Sequence, residues 1–538
     1  MPTLEFKGKA HVYAHHLTVP YRPLLPDLAR SHGQHAGEPD DNLIIHGDNL
    51  EALKALLPRF AGRINCVYID PPYNTGKEGW VYNDNVNSPL MREWLERNGI
   101  VDGEDLERHD KWLCMMWPRL QLLKQLLADD GIIFISIDDN EQHHLRLMLD
   151  EIFGEANLFA TLSRRAMHTV RNSSKDFNLN TDYVHVYALD KEWWGADRSR
   201  YIRVVRDKTD KYPHDDGDGR GPYKLDPLHA RNFYETYTHT FGNGQTWSAP
   251  SGSYPRYSQD TLSEMEQNDE LDFSGTEPRA KRYLIQVQEG QPPDTFLEPE
   301  LVGFNKDGTS LLKCIFGIGG VFSQPKPIEL IQHLLDIVRK PDAVVLDSFA
   351  GSGTTAHAVL ALNHADGGNR KFIMVECEDY ADTITAERVR RVIDGTPNAK
   401  DETLRSGLGG SFTYCTLGEP IDAEDMLTGE SLPEYSDLAA HLLYVSCGIT
   451  LREPPSQVDG EPFYSDDASG TDYYLIYRPD IEWLRSNEAM LFDYMADSIA
   501  RRGNAAVVFA AGKYITQRDL THRNITFCQL PYELHRGE

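Results

Sequence analysis

Short unbroken apolar runs alternate with stretches of helical apolar spacing in two separate parts of the chain. In the first part, LIIHGDNLEALKALL (Leu43 to Leu57) opens with a run of buried-strand type and turns at Gly47-Asp48-Asn49. It continues with apolar residues three and four apart, which predicts strand, turn and helix. INCVYIDPPYNTG repeats that grammar, with an apolar strand from Ile64 to Ile69 running into a sharp turn. HDKWLCMMWPRLQLLKQLLADDGIIFISIDDNE predicts a helix, a polar stop at Asp129-Asp130-Gly131 and another strand from Ile132 to Ile137. In the later part, IELIQHLLDIVRKPDAVVLDSFAGSGTTAHAVLALNHADGGNRKFIMVECED predicts helix, strand, Gly-rich turn, helix and strand. Strands alternating with helices require crossovers, so the expected fold class is α/β, with a doubly wound parallel sheet.

Between the two parts the periodicity fades. Gly, Pro, Tyr, Trp and Arg dominate there, as in DGRGPYKLD, FGNGQTWSAPSGSYPRYS and TEPRAKRYL, and a loop-rich domain inserted into one α/β domain is expected. Beyond about Gly395 the chain is acidic and punctuated by Gly and Pro. A helix near Ile481 to Arg501 and strands such as YYLIY and AAVVFAA predict a separate α+β domain. The expected division is an N-terminal arm (1–40), a first α/β half (41–190), the insertion (191–320) and a second α/β half (321–395). A C-terminal domain for oligomerisation or partner binding (396–538) completes it.

At 538 residues the chain has material for two to four cores. No apolar run approaches the roughly 20 residues of a membrane helix, and MPTLEFKGKAHVYAHHL lacks the pattern of a signal peptide, so a cytoplasmic protein is expected. Seven scattered cysteines without a CxxC pair argue against disulfides and zinc. The pairs His15-His16 and His143-His144 are adjacent rather than spaced for ligation, and Asp138-Asp139 suits a helix cap, so no metal is expected. The net charge of -29 opposes a nucleic-acid role, because phosphate binding draws on Lys and Arg. That charge is uneven. Thr161 to Asp210 holds ten Lys or Arg against seven Asp or Glu, whereas Thr396 to Glu538 holds eleven against twenty-three.

Three strand ends carry candidate chemistry. VVLDSFAGSGTTAHAV (Val344 to Val359) delivers Asp347 to a turn in which Gly351 and Gly353 allow close backbone approach to a ligand before a helix starts around Thr354. No Gly-Lys-Ser/Thr follows, which excludes a P-loop, and a dinucleotide fingerprint lacks its third glycine. Glu376, about two dozen residues on and again at a strand end, can accept from ribose hydroxyls, while Glu378 suits a surface cap. Together these turns predict a nucleoside cofactor. The third strand end is IDPPYNTG. Two prolines there fix φ and donate no N–H, and the Asp70 carboxylate and Pro71 carbonyl can accept from an exocyclic amine. Tyr73 offers an aromatic face for an extruded base.

The order of DPPY before FxGxGT, with a long insertion between, resembles the beta group of DNA amino-methyltransferases, and the wording is similar to modification subunits of type III restriction-modification systems. NLIIHGDNLEAL, YIDPPYNTGKEGWVYNDNV, WLCMMWPRLQLL, GIIFISIDDNE, FSQPKPIELI and DSFAGSGTTAHAV carry the resemblance over most of residues 40 to 395. It implies a Rossmann-like methyltransferase sheet, S-adenosylmethionine as cofactor and double-stranded DNA as substrate. Phe349, Gly351 and Gly353 would line the cofactor, with Glu376 at its ribose, Asp48 at its adenine and Lys326 near its methionine end. Asp70, Pro71, Pro72 and Tyr73 would hold the target base. GWVYNDNV departs from the related FVYNDNF pattern, which puts Trp80 and Val86 in question as pocket residues.

The resemblance places target recognition in the insertion. Arg164, Arg165, Arg256, Lys281 and Arg282, with Tyr254, Tyr257 and Tyr283, are candidates for phosphate, base-edge and stacking contacts. The opening Asp of the motif favours N6 of adenine; N4 of cytosine and a non-catalytic recognition subunit are the alternatives. The resemblance also implies a homodimer and a separate helicase-nuclease restriction subunit as partners.

Overall fold

The computed structural model describes residues 3–75, 107–168, 177–197, 200, 212–284, 292–397, 399–451, 453–455 and 457–535. Two compact units emerge: Met1–Tyr201 together with Asp294–Glu538, and Ile202–Pro293. The inserted unit thus starts later and ends earlier than the fading periodicity indicates.

Among the described residues ten strands form the main sheet of the first unit: β1 (Leu24–Pro26), β2 (Leu43–His46), β3 (Ile64–Ile69), β4 (Leu127–Ile137), β5 (Leu158–Arg165), β6 (Thr181–Ala188), β7 (Phe296–Leu297), β8 (Val344–Asp347), β9 (Lys371–Glu376) and β10 (Thr413–Leu417). Their order across the sheet is β1-β10-β2-β9-β8-β3-β4-β6-β5-β7. The run from β10 to β4 is parallel throughout, and β6 and β1 pair antiparallel with their inner neighbours. All six residues of β3 are buried, as are the last seven of β4, which is why both read as near-continuous apolar runs. The polar stop at Asp129-Asp130-Gly131 lies inside β4 rather than before it. Its ladder with β3 is irregular there, passing from Ile64↔Leu127 to Cys66↔Ile132.

Helices cover the sheet as the crossovers require: α1 (Asn49–Phe60), α2 (Glu107–Leu126), α3 (Gln142–Leu149), α4 (Ile328–Val338), α5 (Thr354–Asp366) and α6 (Glu387–Asp394). Trp112, Met116, Trp117, Leu120 and Leu123 of α2 are buried against α1 and the sheet. Each such large apolar side chain contributes roughly 1.5–3 kcal/mol. The sheet reaches past the expected domain limits at both ends. β1, from the N-terminal arm, and β10, beyond residue 395, build its edge beside β2.

In the C-terminal region, Tyr464–Asp466, Thr471–Ile476, Ala505–Ala510 and Ile525–Gln529 form a second sheet. Its last three strands are parallel, so the segregated α+β arrangement expected there gives way to helical crossovers. The single helix expected from Ile481 to Arg501 is broken. Ile481–Leu484 and Asp493–Ala500 are helical, but Met490–Leu491 pairs with Gly512–Lys513 as a short parallel ladder. Tertiary pairing overrides helical spacing at that point.

The inserted unit has its own small core of Leu228, Phe241, Trp247, Leu262, Met265, Leu271 and Ala280. Among the described residues a three-stranded sheet (Leu271–Asp272, Arg279–Tyr283, Tyr223–Pro227), two short hairpin-like pairs and one helix, Gln259–Gln267, surround it.

Candidate active site

Strands β2, β9, β8 and β3 are neighbours and parallel, so their carboxyl ends bring together segments more than 300 residues apart in sequence. In that order they deliver Asp48, Glu376, the Gly-rich turn and the Asp70 turn. Chain direction across the sheet reverses between β8 and β3. From β3 the chain moves outward to β4, and from β8 it moves the opposite way to β9, which makes this the switch point where open α/β sheets form their binding crevice.

The Gly-rich turn is held from several sides. Asp347 is buried and spends both oxygens inside the turn, accepting from the Phe349 N–H at 3.0 Å and from the Thr355 hydroxyl. It therefore shapes the turn from within. Burial pushes its carboxyl up to about 7, and the nearby Asp70 and Glu376 charges push the same way. Gly351 and Gly353 adopt φ of 51° and 77°, the left-handed region. A Cβ on Gly351 would lie 3.2 Å from the Phe322 ring, and one on Gly353 would lie 3.0 Å from the Thr385 carbonyl oxygen. Glu376 accepts from the Gly351 N–H at 2.7 Å and the Glu378 N–H at 3.1 Å, and burial raises its carboxyl.

Several supports of this turn escape sequence reading. The guanidinium of Arg388, fully buried on α6, donates to the Ser352 carbonyl at 3.3 Å and hydroxyl at 3.0 Å, and to the Thr354 hydroxyl at 2.8 Å. Thr385 donates its hydroxyl to the Gly351 carbonyl at 2.6 Å. Phe322 and Tyr380 stand edge-on, 5.5 Å apart, beside the turn. Arg388 shares its helix with Arg390 and Arg391, so nothing in the sequence marks it as the buried one or names its partner.

The Asp70 turn leaves β3 with its carboxylate partly exposed. Both its oxygens accept from Lys326 Nζ at 2.7 Å, and the same ammonium lies 2.8 Å from Tyr73 Oη and 4.7 Å from the Tyr73 ring centroid. Burial, then the Asp70 charge, raises the Tyr73 phenol well above its usual range, so it stays protonated. Lys326 is thus on the Asp-Pro-Pro-Tyr turn and not only beside the Gly-rich turn, where its carbonyl accepts from the Thr354 hydroxyl at 3.4 Å.

Behind the turn, α2 and the start of α3 fix the backbone. Trp112 Nε1 donates to the Pro72 carbonyl at 2.7 Å, which leaves Pro72 a structural part of the motif. Asn74 has φ of 57°, a conformation Asn tolerates better than most residues, and its buried amide donates to the Glu141 carboxylate and to the Arg108 carbonyl. Glu141 is completely buried, with His109 Nδ1 at 2.6 Å and His144 Nδ1 at 2.8 Å. The donor atoms of His109, Glu141 and His144 lie within 4.8 Å of one another. Weighing His143 and His144 only as an adjacent pair overlooks this cluster, because His109 joins it from another helix.

Other candidates occupy different settings. Asp48 caps α1, accepting from the Leu50 N–H at 2.8 Å, and its second oxygen lies 3.4 Å from buried Arg119, so its carboxylate is committed to the helix start. Phe349 and Thr354 are buried within the turn. Arg164, expected to contact DNA, is 1% exposed and bound to Asp182 at 3.2 Å and to Asn305; it is an internal brace. Arg165 is half-buried with its guanidinium 3.4 Å from the His168 carbonyl. In the inserted unit, Lys281 is also withdrawn from the surface, paired with Asp216 at 2.8 Å and Asp269 at 3.2 Å, and Tyr283 is buried. Arg256 and Arg282 reach toward Asp226 at 3.5 and 3.3 Å while remaining exposed, and Tyr254 is half-buried against Phe233. Trp80 and Val86 lie outside the described residues.

A family model described as DNA methylase matches residues 64–387 of this chain. The chain is 33% identical over 442 residues to the type III restriction-modification enzyme StyLTI Mod subunit of Salmonella typhimurium, covering 74% of this chain and 65% of that protein. It is 28% identical over 544 residues to the EcoPI Mod subunit of Escherichia phage P1, covering 88% and 82%. It is 29% identical over 363 residues to the type II methyltransferase M.KpnI of Klebsiella pneumoniae, covering 62% and 80%. The chain therefore spans slightly less than two thirds of the Salmonella subunit's length.

Proposed function

This chain belongs to the DNA methylase family, and from that membership we propose that it transfers a methyl group from S-adenosylmethionine to N6 of an adenine extruded from duplex DNA. One observation carries the proposal. The Asp70 turn and the Gly351–Gly353 turn leave adjacent parallel strands, in register at Val345↔Cys66 and Leu346↔Val67, so a methyl donor in one faces an amine in the other. The residues at the Gly-rich turn fit the cofactor. Glycine at 351 and 353, where a Cβ would strike Phe322 or the Thr385 carbonyl, keeps the turn tight against its supports, and Glu376 at the neighbouring strand end retains lone pairs for ribose hydroxyls.

When bound, the cofactor supplies an electrophilic methyl group on a sulfonium. The protein's part is to prepare the nitrogen. An exocyclic amine is a weak nucleophile because its lone pair is delocalised into the ring, and the Asp70 carboxylate, accepting its N–H groups, favours the pyramidal form that attacks in line. Tyr73 stacks the base, worth roughly 1 to 3 kcal/mol. Trp112 and Asn74 hold the turn so that Asp70 does not drift. The proton released from nitrogen passes to an Asp70 oxygen and from there to solvent through its exposed edge.

The names of the relatives support a modification role in a type III restriction-modification system, with a restriction subunit as partner. We also propose a homodimer, with assembly through the C-terminal region, and a cytoplasmic site of action where DNA is accessible; light scattering on the purified chain checks the first. Among the described residues no helix is long and apolar enough to cross a membrane. Incubation with tritiated S-adenosylmethionine and DNA tests the activity. Asp70→Ala should abolish transfer while retaining cofactor binding, and transfer at the wild-type rate by that variant would refute the role of Asp70.

A further inference from the structure

Lys326 sits where the substrate is expected. Its ammonium is a nitrogen with N–H donors, 2.7 Å from each Asp70 oxygen, 2.8 Å from Tyr73 Oη and over the Tyr73 ring. The Asp70 carboxylate and the Tyr73 ring are the groups assigned above to the exocyclic amine and the face of the base. Lys326 is 10% exposed along its side chain, so the pairing is a largely desolvated one that an entering group must break.

Its backbone explains how the side chain arrives there. Lys326 precedes α4, and its carbonyl accepts from Thr354 at the first turn of α5, so the residue is anchored at the Gly-rich turn while its side chain crosses to the Asp70 turn. The ammonium therefore stands beside the Asp70 carboxylate, between the anchor of its own backbone and the Tyr73 ring. A fixed positive charge there opposes both the sulfonium of the donor and the positive charge that develops on the nitrogen.

We propose that Lys326 is an internal surrogate for the target amine: its ammonium occupies the amine subsite on Asp70, and an extruded adenine gains that subsite by displacing it. The inference rests on the methyltransferase reading and deepens it. Lys326 then sets the cost of base entry, and the cofactor does not depend on its ammonium. Displacement exchanges one set of N–H···O bonds to Asp70 for another, so the carboxylate keeps a donor throughout.

The test uses the full chain and a duplex bearing the site recovered by long-read sequencing of methylated host DNA. Wild-type transfer of tritiated methyl groups is measured first; its absence overturns the methyltransferase reading and, with it, the surrogate. With transfer established, the target adenine is replaced by 2-aminopurine, whose fluorescence rises on extrusion and which offers no amine at position 6 to win Asp70 from the lysine. Lys326→Met keeps the stem but removes charge and donors. It should brighten the probe and tighten binding of the adenine duplex about five- to ten-fold, because the competing occupant is gone. Its affinity for S-adenosylhomocysteine should stay within about two-fold, which also shows that the variant is folded. Lys326→Arg keeps the charge and should stay close to wild type in both readouts. Loss of S-adenosylhomocysteine binding by Lys326→Met with unchanged fluorescence would make Lys326 a cofactor residue and overturn the proposal. So would unchanged values in every readout. Should Lys326→Met fail to fold, Lys326→Gln, neutral but still polar, takes its place with the same expected signs.

Discussion

Asp70, Asp347 and Glu141 are three carboxylates at or just beyond the carboxyl ends of neighbouring strands, and their surroundings give them three tasks. Asp70 is open at one edge and paired with a lysine; Asp347 is enclosed by its own turn; Glu141 is buried under two histidines. The raised Asp347 carboxyl carries a pH signature. Its folded value of about 7 exceeds the unfolded value near 3.8, so the fold prefers the protonated form. Its contribution is fully present below the unfolded value, falls as pH rises from about 4 to 7, and is then lost, by an amount on the order of a few kcal/mol. Asp347→Asn removes this titration. The difference in melting temperature between the variant and wild type should therefore rise in the variant's favour across that window, and a pH-independent difference would contradict the assignment.

Asn74 is the second test at this scale. Asn74→Ala loses the bonds to Glu141 and Arg108 and places Ala at a positive φ, so the Asp70 turn shifts. A displacement of about 1 Å costs on the order of 100-fold in rate. Steady-state kinetics should show the loss in kcat, with the affinity for S-adenosylhomocysteine retained; a change confined to KM for the cofactor would place Asn74 elsewhere in the mechanism. DPPY and GSG were legible in sequence because each is a local strand exit. The grips of Lys326 on Asp70 and of Glu141 on Asn74 were not, since their partners lie 256 and 67 residues away and no periodicity records such a pairing.

Among elements, the strongly periodic ones formed as expected, and α5 starts at Thr354 where the Gly-rich turn ends. Failures occurred where a distant strand competes with local preference. Met490–Leu491 leaves the helix to pair with Gly512–Lys513, and β10 leaves the C-terminal region to join β2. Arg164 reads as a basic surface residue until β6 supplies Asp182 and the segment after β7 supplies Asn305. The Gly-rich turn itself is the sharpest element to probe. Gly353→Ala puts a methyl group 3.0 Å from the Thr385 carbonyl oxygen at a φ of 77°. It should cost about 1–3 kcal/mol of stability. It should also weaken S-adenosylhomocysteine binding measured by calorimetry, and wild-type affinity would contradict the close approach assigned to this turn.

Over the whole molecule the charge of -29 bears on the proposed binding of DNA. With Arg164 and Lys281 committed to internal pairs, Arg256 and Arg282 are the exposed cations left among the candidates in the inserted unit. If both reach phosphates, replacing them together with Ala should lower the slope of log K against log salt by about 2 for duplex DNA. An unchanged slope would remove them from the interface. Added salt also screens repulsion between the acidic remainder and phosphate, so the fall of binding with salt should be shallower than the cation contacts alone would give.

The central claim is transfer of a methyl group to adenine N6 at the junction of the Asp70 and Gly-rich turns, and nucleoside analysis reads it directly. DNA incubated with the wild-type chain and tritiated S-adenosylmethionine, then digested, should carry its label in N6-methyladenine and none when Asp70 is replaced by Ala. Label in N4-methylcytosine, or no label from a chain that binds both cofactor and DNA, would contradict it.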